Sequence, residues 1–176
     1  MTKGDKRSIT ALLLLISVAW VACTQTRQPC AQPKTVYVNA ACYHVIADTN
    51  NVAIVADTLL PNPLIGVIDT AGKGAYFYYG QRNIFQFSMF LNPNSDTCRW
   101  FINTDSTFTP KSFDTLTFVY QSKLQFLSNA CGYTYYYNLL GVSTTHNNID
   151  SIILENTNVT SNVNVEHLKI YIHPNF

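Results

Sequence analysis

Five cysteines, four histidines and ten acidic residues are the side chains of this 176-residue chain whose chemistry could go beyond packing. Their spacing supports one covalent reaction, lipidation of Cys23. A basic start (Lys3, Lys6, Arg7) leads into an apolar run from about Ala11 to Val21, and Ala22-Cys23 follows directly. That pattern is an export signal. A transmembrane helix needs about 20 apolar residues, and this run is shorter and gives way at Thr24-Gln25-Thr26-Arg27-Gln28. Trp20-Val21-Ala22-Cys23 resembles a bacterial lipobox, in which Ala before Cys is typical and Trp in the first position is unusual. Ordinary signal-peptidase cleavage after Ala19, behind Ser17-Val18-Ala19, is the alternative. Cysteine parity favours lipidation: with a thioether-linked lipid on Cys23, an even four (Cys30, Cys42, Cys98, Cys131) remain for pairing in an oxidising compartment, with three pairings open.

No other constellation supports catalysis. The histidines (His44, His146, His167, His173) and acids form no His-Glu-x-x-His, Gly-x-Ser-x-Gly or calcium-loop pattern, and no Cys-x-x-Cys offers redox chemistry. His167 and His173 share a face of the last predicted strand, but an extended chain separates them by about 20 Å, too far to share one metal. A Ser, His and Asp could still converge in space, since triads are defined by geometry and not by order. The reading is therefore a protein without enzymatic activity, with no catalytic residue, no metal and no cofactor.

Charge narrows the partners. The formal net charge of the whole chain is +1, and removal of the signal takes away Lys3, Lys6, Arg7 and Asp5, leaving a near-neutral chain. Nucleic acid, which demands a basic stripe, is excluded as a partner. No basic cluster would hold anionic lipid by itself, so any membrane attachment rests on the N-terminal lipid.

The elements that must position these residues are strands. Residues 1–22 are read as a lipoprotein signal peptide, 23–34 as a tether and 35–176 as a single β domain, of a size that can bury its own core. Past Thr35 the chain is rich in Tyr, Phe, Val, Ile and Thr, which suit a pleated surface. Predicted strands are 35–45, 52–60, 64–69, 75–80, 83–91, 97–103, 113–121, 123–128, 132–140, 149–158 and 165–173. Gly, Asn and Pro punctuate them, at Asp48-Thr49-Asn50-Asn51, Pro61-Asn62-Pro63, Gly72-Lys73-Gly74, Asn92 to Asp96, Gly141 and His146-Asn147-Asn148. Alternation sets the faces: Phe85, Phe87, Met89 and Leu91 share a side, as do Leu116, Phe118 and Tyr120, and Leu168, Ile170 and Ile172. No stretch shows a helical period. The fold expected is all-β, a mostly antiparallel two-sheet sandwich, with a closed or partly open β-barrel as the alternative.

Two aromatic clusters, Tyr76-Phe77-Tyr78-Tyr79 and Tyr133 with Tyr135-Tyr136-Tyr137, place rings on both faces of their strands. Tyr76, Tyr78, Tyr135, Tyr136 and Tyr137 are accordingly candidate binding residues, because exposed rings stack on sugars or anchor a partner protein. The competing account is that they are ordinary strand formers covered by neighbouring loops.

Asp114 to Tyr120, Leu127-Ser128-Asn129-Ala130-Cys131-Gly132-Tyr133, Ile149-Asp150-Ser151-Ile152 and Glu166-His167-Leu168-Lys169-Ile170-Tyr171 together resemble the C-terminal pattern of a lipoprotein family of Bacteroidetes-type bacteria, domain of unknown function 6452. The likeness is clearest over residues 112–173. It implies an envelope lipoprotein with an all-β domain and no known activity. An early cysteine and the one before Gly-Tyr recur in that family, which implies that Cys30 pairs with Cys131 and leaves Cys42 for Cys98.

The residues after Cys23 carry no acidic run of the surface-export kind, so the expected location is the outer membrane, facing the periplasm. Three function classes follow. A lipid-anchored binding or accessory module of an envelope complex predicts exposed apolar surface and a protein partner. A periplasmic small-ligand carrier built on a β-barrel predicts a deep, mostly apolar cavity. An enzyme predicts converging titratable groups in a cleft. The first is the reading adopted.

Overall fold

The computed structural model describes residues 29–47, 49–69, 71–108 and 112–173. The signal peptide, the lipobox and Cys23 lie outside the described residues. Contacts divide the chain into Met1–Ala31 and a compact unit Gln32–Phe176. The described part of the latter holds eleven strands and no helix: β1 (Val38–Ala47), β2 (Ala53–Asp57), β3 (Leu64–Ile68), β4 (Gly74–Tyr78), β5 (Gln86–Met89), β6 (Thr97–Asn103), β7 (Asp114–Ser128), β8 (Gly132–Ser143), β9 (Ile149–Leu154), β10 (Asn158–Val159) and β11 (Leu168–Ile172).

Two sheets form. One runs β2-β1-β11-β9, with β5 beside the first half of β1, and the other runs β10-β8-β7-β6-β3-β4. Neither closes on itself, which answers the sandwich-or-barrel question in favour of the sandwich. Every strand pair is antiparallel except β1 with β11, which run parallel from Ala40↔Leu168 to Tyr43↔Tyr171. That pairing joins the two ends of the domain, a non-local contact that no local pattern in the sequence signals.

The inward faces obey the alternation expected. Leu116, Phe118 and Tyr120 are fully buried, as are Leu168 and Ile170, and Phe87, Met89 and Leu91 join the same core around Trp100. At about 25 cal/mol per Å² of apolar surface, burying side chains of this size contributes roughly 2–3 kcal/mol each. Tyr120 keeps its hydroxyl satisfied within this core by donating to the Asn92 carbonyl at 2.8 Å.

Several element boundaries differ from expectation. Predicted strands 113–121 and 123–128 are one strand, β7, because Gln121-Ser122 contains no Gly, Pro, Asn or Asp and pairs onward with Asn138 and Tyr137. Gly141 is no turn; it lies within β8 opposite Val119, where the ladder shifts register. Predicted strand 149–158 divides into β9 and β10 in different sheets, the chain turning where the Glu155 and Asn156 amides both donate to the His167 carbonyl. The expected turns that include Asn51, Gly72 and His146 do carry positive φ.

Candidate binding surfaces

The two aromatic clusters separate in space. A register shift between Ile65 and Gly66 leaves Tyr78 opposite Ile65 and Tyr76 opposite Gly66, so two rings of equal parity in sequence point to opposite faces. Tyr78 turns inward, where its hydroxyl accepts from the Ser88 amide at 2.8 Å and its ring meets Phe87. Tyr76 turns outward, 58% exposed, its ring edge-on to Phe101 at 5.4 Å. Phe101 covers Gly66 so closely that a Cβ there would lie 2.4 Å from the ring and 2.2 Å from the Ala75 carbonyl oxygen. In the second cluster Tyr137 is buried and donates to the Leu91 carbonyl at 3.2 Å, and the Tyr136 hydroxyl bonds the Ser161 hydroxyl at 2.9 Å. Tyr135 is exposed. Of the five candidates, then, Tyr78, Tyr136 and Tyr137 have structural partners, and Tyr76 and Tyr135 stand on strands four ladder steps apart. They do not compose one site.

Two other surfaces carry more exposed apolar area. The second half of β1 and all of β2 form a ribbon in which Val45 faces Val55 and Ile46 faces Ile54. Each of these four is 42% exposed or more, and both faces of the ribbon are affected. β1 is the sole ladder neighbour of β2 among the described strands, so the outer edge of β2 presents unpaired backbone groups. Asp57 at the end of β2 is its one charge, and Ala53 to Ala56 contain no charge or proline that would guard the rest of the edge. The other surface is the far half of the β7–β8 hairpin, where Leu124 pairs with Tyr135 and Phe126 with Tyr133. Sequence alternation alone could have found the hairpin, but not that its inner face outruns the opposing sheet.

The cysteines resolve differently from one implied pairing. Cys30 and Cys131 are disulfide-bonded, as the family resemblance implied. Cys42 and Cys98 are not paired: both are free and buried, on β1 and β6 of different sheets within the packed core. Burial pushes the Cys42 thiol up to about 12 and raises that of Cys98, so both remain protonated and unreactive at neutral pH.

Titratable groups elsewhere are tied to the fold. Asp114 is fully buried and its carboxylate accepts from the Thr145 hydroxyl at 3.0 Å and from the amides of Asn147 (2.6 Å), Asn148 (2.7 Å) and Ile149 (3.2 Å). It thereby holds the loop that carries the chain from one sheet to the other, a role not read from the sequence. His167, fully buried, accepts from the Asn39 amide through Nδ1 at 3.0 Å, and burial depresses its pKa. Tyr43 donates to the Glu166 carboxylate at 2.9 Å; desolvation first and that bond second raise its pKa to about 12. Among the described residues no group of three or more His, Cys, Asp or Glu comes together as a metal would require, and no helix is long and apolar enough to cross a membrane.

A two-sheet, mostly antiparallel sandwich with exposed apolar edges is the class that this geometry defines. The chain belongs to the family of unknown function DUF6452, whose model matches residues 65–172. The match takes in β4, β5 and β6 as well as the C-terminal segments that carried the resemblance, and it leaves β1 and β2 outside. No curated protein and no solved structure matches the chain. The segments that carried the resemblance acquire physical roles here. Asp114 ties its own segment to Ile149, Ser128 Oγ accepts from the Cys131 amide at 3.0 Å in the hairpin turn, and Gly132 supplies a φ of +73° beside it.

Proposed function

We propose that this protein is a lipid-anchored cell-envelope protein, held by Cys23 on the periplasmic side of the outer membrane, and that it acts as a non-enzymatic binding or accessory module of an envelope complex. The observation that carries the reading is the β1–β2 ribbon. An edge strand whose one charge is Asp57 at its end, flanked by Val45, Ile46, Ile54 and Val55, is suited to accept an extended strand of a protein partner, whose main chain would continue the ladder while its side chains cover the exposed valines and isoleucines. A disulfide at Cys30 and Cys131 fits an oxidising compartment.

The carrier alternative is less well supported, because Trp100, Phe118 and Tyr120 fill the space between the sheets and the grooves that remain, about 470 Å³ beside Asn39, Gln86 and Glu166 and about 700 Å³, more apolar, beside Val67, Phe90 and Leu91, are open to the surface and not deep cavities. The test is purification of C-terminally tagged protein from native membranes in mild detergent, with wild type beside Cys23→Ala and Val55→Lys. A partner recovered in stoichiometric amount with wild type and lost with Val55→Lys supports the edge as its seat. A solitary protein in every case overturns the module reading.

A further inference from the structure

Asn39 commits every polar group it has to one junction. Its Nδ2 donates to the carbonyls of Val163 and Val165, each at 3.0 Å, and its Oδ1 accepts from the Ser88 hydroxyl at 2.9 Å. Its backbone amide donates to Nδ1 of His167 at 3.0 Å, and its carbonyl accepts from the His167 amide at 2.9 Å. One titratable ring thus stands in the middle of a hydrogen-bond cluster that joins β1 to residues 160–167.

The chemistry of that ring admits one protonation state. An imidazole that accepts at Nδ1 is neutral and carries its proton on Nε2. Here Nε2 is enclosed beside the Asn158 backbone and lacks a hydrogen bond of normal geometry. A second proton has to enter at Nδ1, where it would set an N–H against the Asn39 N–H, donor against donor. No charge compensates for it. β1 presents Asn39, and the connection from β9 to β10 presents the amides of Glu155 and Asn156 to the His167 carbonyl and the Asn158 backbone to the ring, all of them uncharged groups. The carboxylates nearest in sequence are engaged elsewhere, Glu155 with Lys169 Nζ at 3.0 Å and Glu166 with the Tyr43 hydroxyl at 2.9 Å. Burial lowers the pKa of the ring, and the Asn158 backbone opposes that only in part.

The segment on the other side of the junction has little else to hold it. None of residues 160–166 is buried, so no apolar contact of the core fixes them. Besides the two Asn39 bonds, they are tied to the strands by Ser161 with the Tyr136 hydroxyl at 2.9 Å and by Glu166 with Tyr43. Residues 163–166 form one side of the groove of about 470 Å³ whose other side is Gln86 and Ser88 of β5.

We propose that residues 160–166 are an acid-released strap: neutral His167 latches them to Asn39 along the side of this groove, and protonation of Nδ1 breaks the latch and opens the groove while the sandwich stays folded. The closed form favours the neutral ring, so the strap is fully held above about pH 6.5 and loosens as the pH falls below it. This device is separate from the edge of β2 and stands whether or not that edge seats a partner.

The test is amide hydrogen exchange of the full chain followed by NMR between pH 7.5 and 5.0, with each rate divided by the intrinsic rate at that pH. An open form whose ring titrates near 6.5 should gain population by up to about 30-fold over this range, read at the amides of Asn39 and His167. Opening of a strap exposes little surface, so those rates should not change in 1 M urea, whereas the amides of β7, released by unfolding of the whole domain, should exchange faster there. In His167→Gln the pH response should vanish. A rise below about three-fold in wild type, rates at Asn39 and His167 that follow those of β7 in urea, or a pH response that persists in His167→Gln overturns the proposal. The first two outcomes are read in wild type and decide the question even where the variant does not fold.

Discussion

Asp114→Ala should cost the domain about 3 kcal/mol, and the estimate can be worked from the loop that this carboxylate holds. Its two oxygens accept four hydrogen bonds, three from consecutive backbone amides at Asn147, Asn148 and Ile149 and one from Thr145. Bonds to a charged acceptor contribute about 1.5–3 kcal/mol each before the desolvation of the carboxylate is set against them, and a buried donor left unpaired costs about 1–3 kcal/mol. Ile149 is fully buried, so its amide has no ready substitute; those of Asn147 and Asn148, only partly buried, recover water in part. One complete penalty and two partial ones give about 3 kcal/mol. With a urea dependence of about 2 kcal/mol per M for a domain of this size, the unfolding midpoint should fall by about 1.5 M. Asp114→Asn keeps the volume but turns an NH₂ toward amide donors, so it should lose about 2 kcal/mol despite unchanged packing. Hydrogen exchange at Asn147 to Ile149 should accelerate in both variants. A loss below about 1 kcal/mol for Asp114→Ala, or a neutral Asp114→Asn, would refute the claim that acceptor geometry holds this crossing.

Stability should decline as pH falls below the ordinary histidine range, because His167 is buried neutral with its pKa depressed. The unfolded chain then binds the extra proton, so stability is complete above about 6.5 and drops by up to about 1.4 kcal/mol per pH unit below it; urea midpoints at pH 7.5 and 5.5 for wild type and His167→Gln measure the difference, which should shrink in the variant. In a Cys23→Ala chain Cys42 and Cys98 should resist a thiol reagent under native conditions and react as two thiols in denaturant; fast native labelling would show that the core is not closed around them. Gly66→Ala forces a methyl against the Ala75 carbonyl and the Phe101 ring and should cost about 1–3 kcal/mol, read as a lowered Tm. Neither β1–β2 variant Val55→Lys nor Ile54→Lys should change stability by more than about 0.5 kcal/mol, since both sites are exposed.

The strand content, the inward faces of β5, β7 and β11 and the positions of most turns were legible in local sequence, because period-two alternation and the conformational limits of Gly, Asn and Pro act within a few residues. The same locality explains the misses. Tyr76 and Tyr78 were both candidate binding residues, and one register shift between β3 and β4 put them on opposite faces. The family resemblance left Cys42 for Cys98, whereas whether they pair depends on where two different sheets place them. The family was readable from segments such as Ala130-Cys131-Gly132-Tyr133, and the match extends back to residue 65.

What the sequence by itself determined is an all-β domain, its family and the chemistry available at each residue. Tertiary structure alone decided which rings are covered, that β1 and β11 run side by side in parallel, that Asp114 meets a loop more than thirty residues away, and that two hairpin ends outrun the opposing sheet. The physical reason is range. Propensity and alternation are set by neighbours along the chain, whereas exposure, pairing and register depend on how far each sheet extends over the other, a quantity fixed only when every strand is in place.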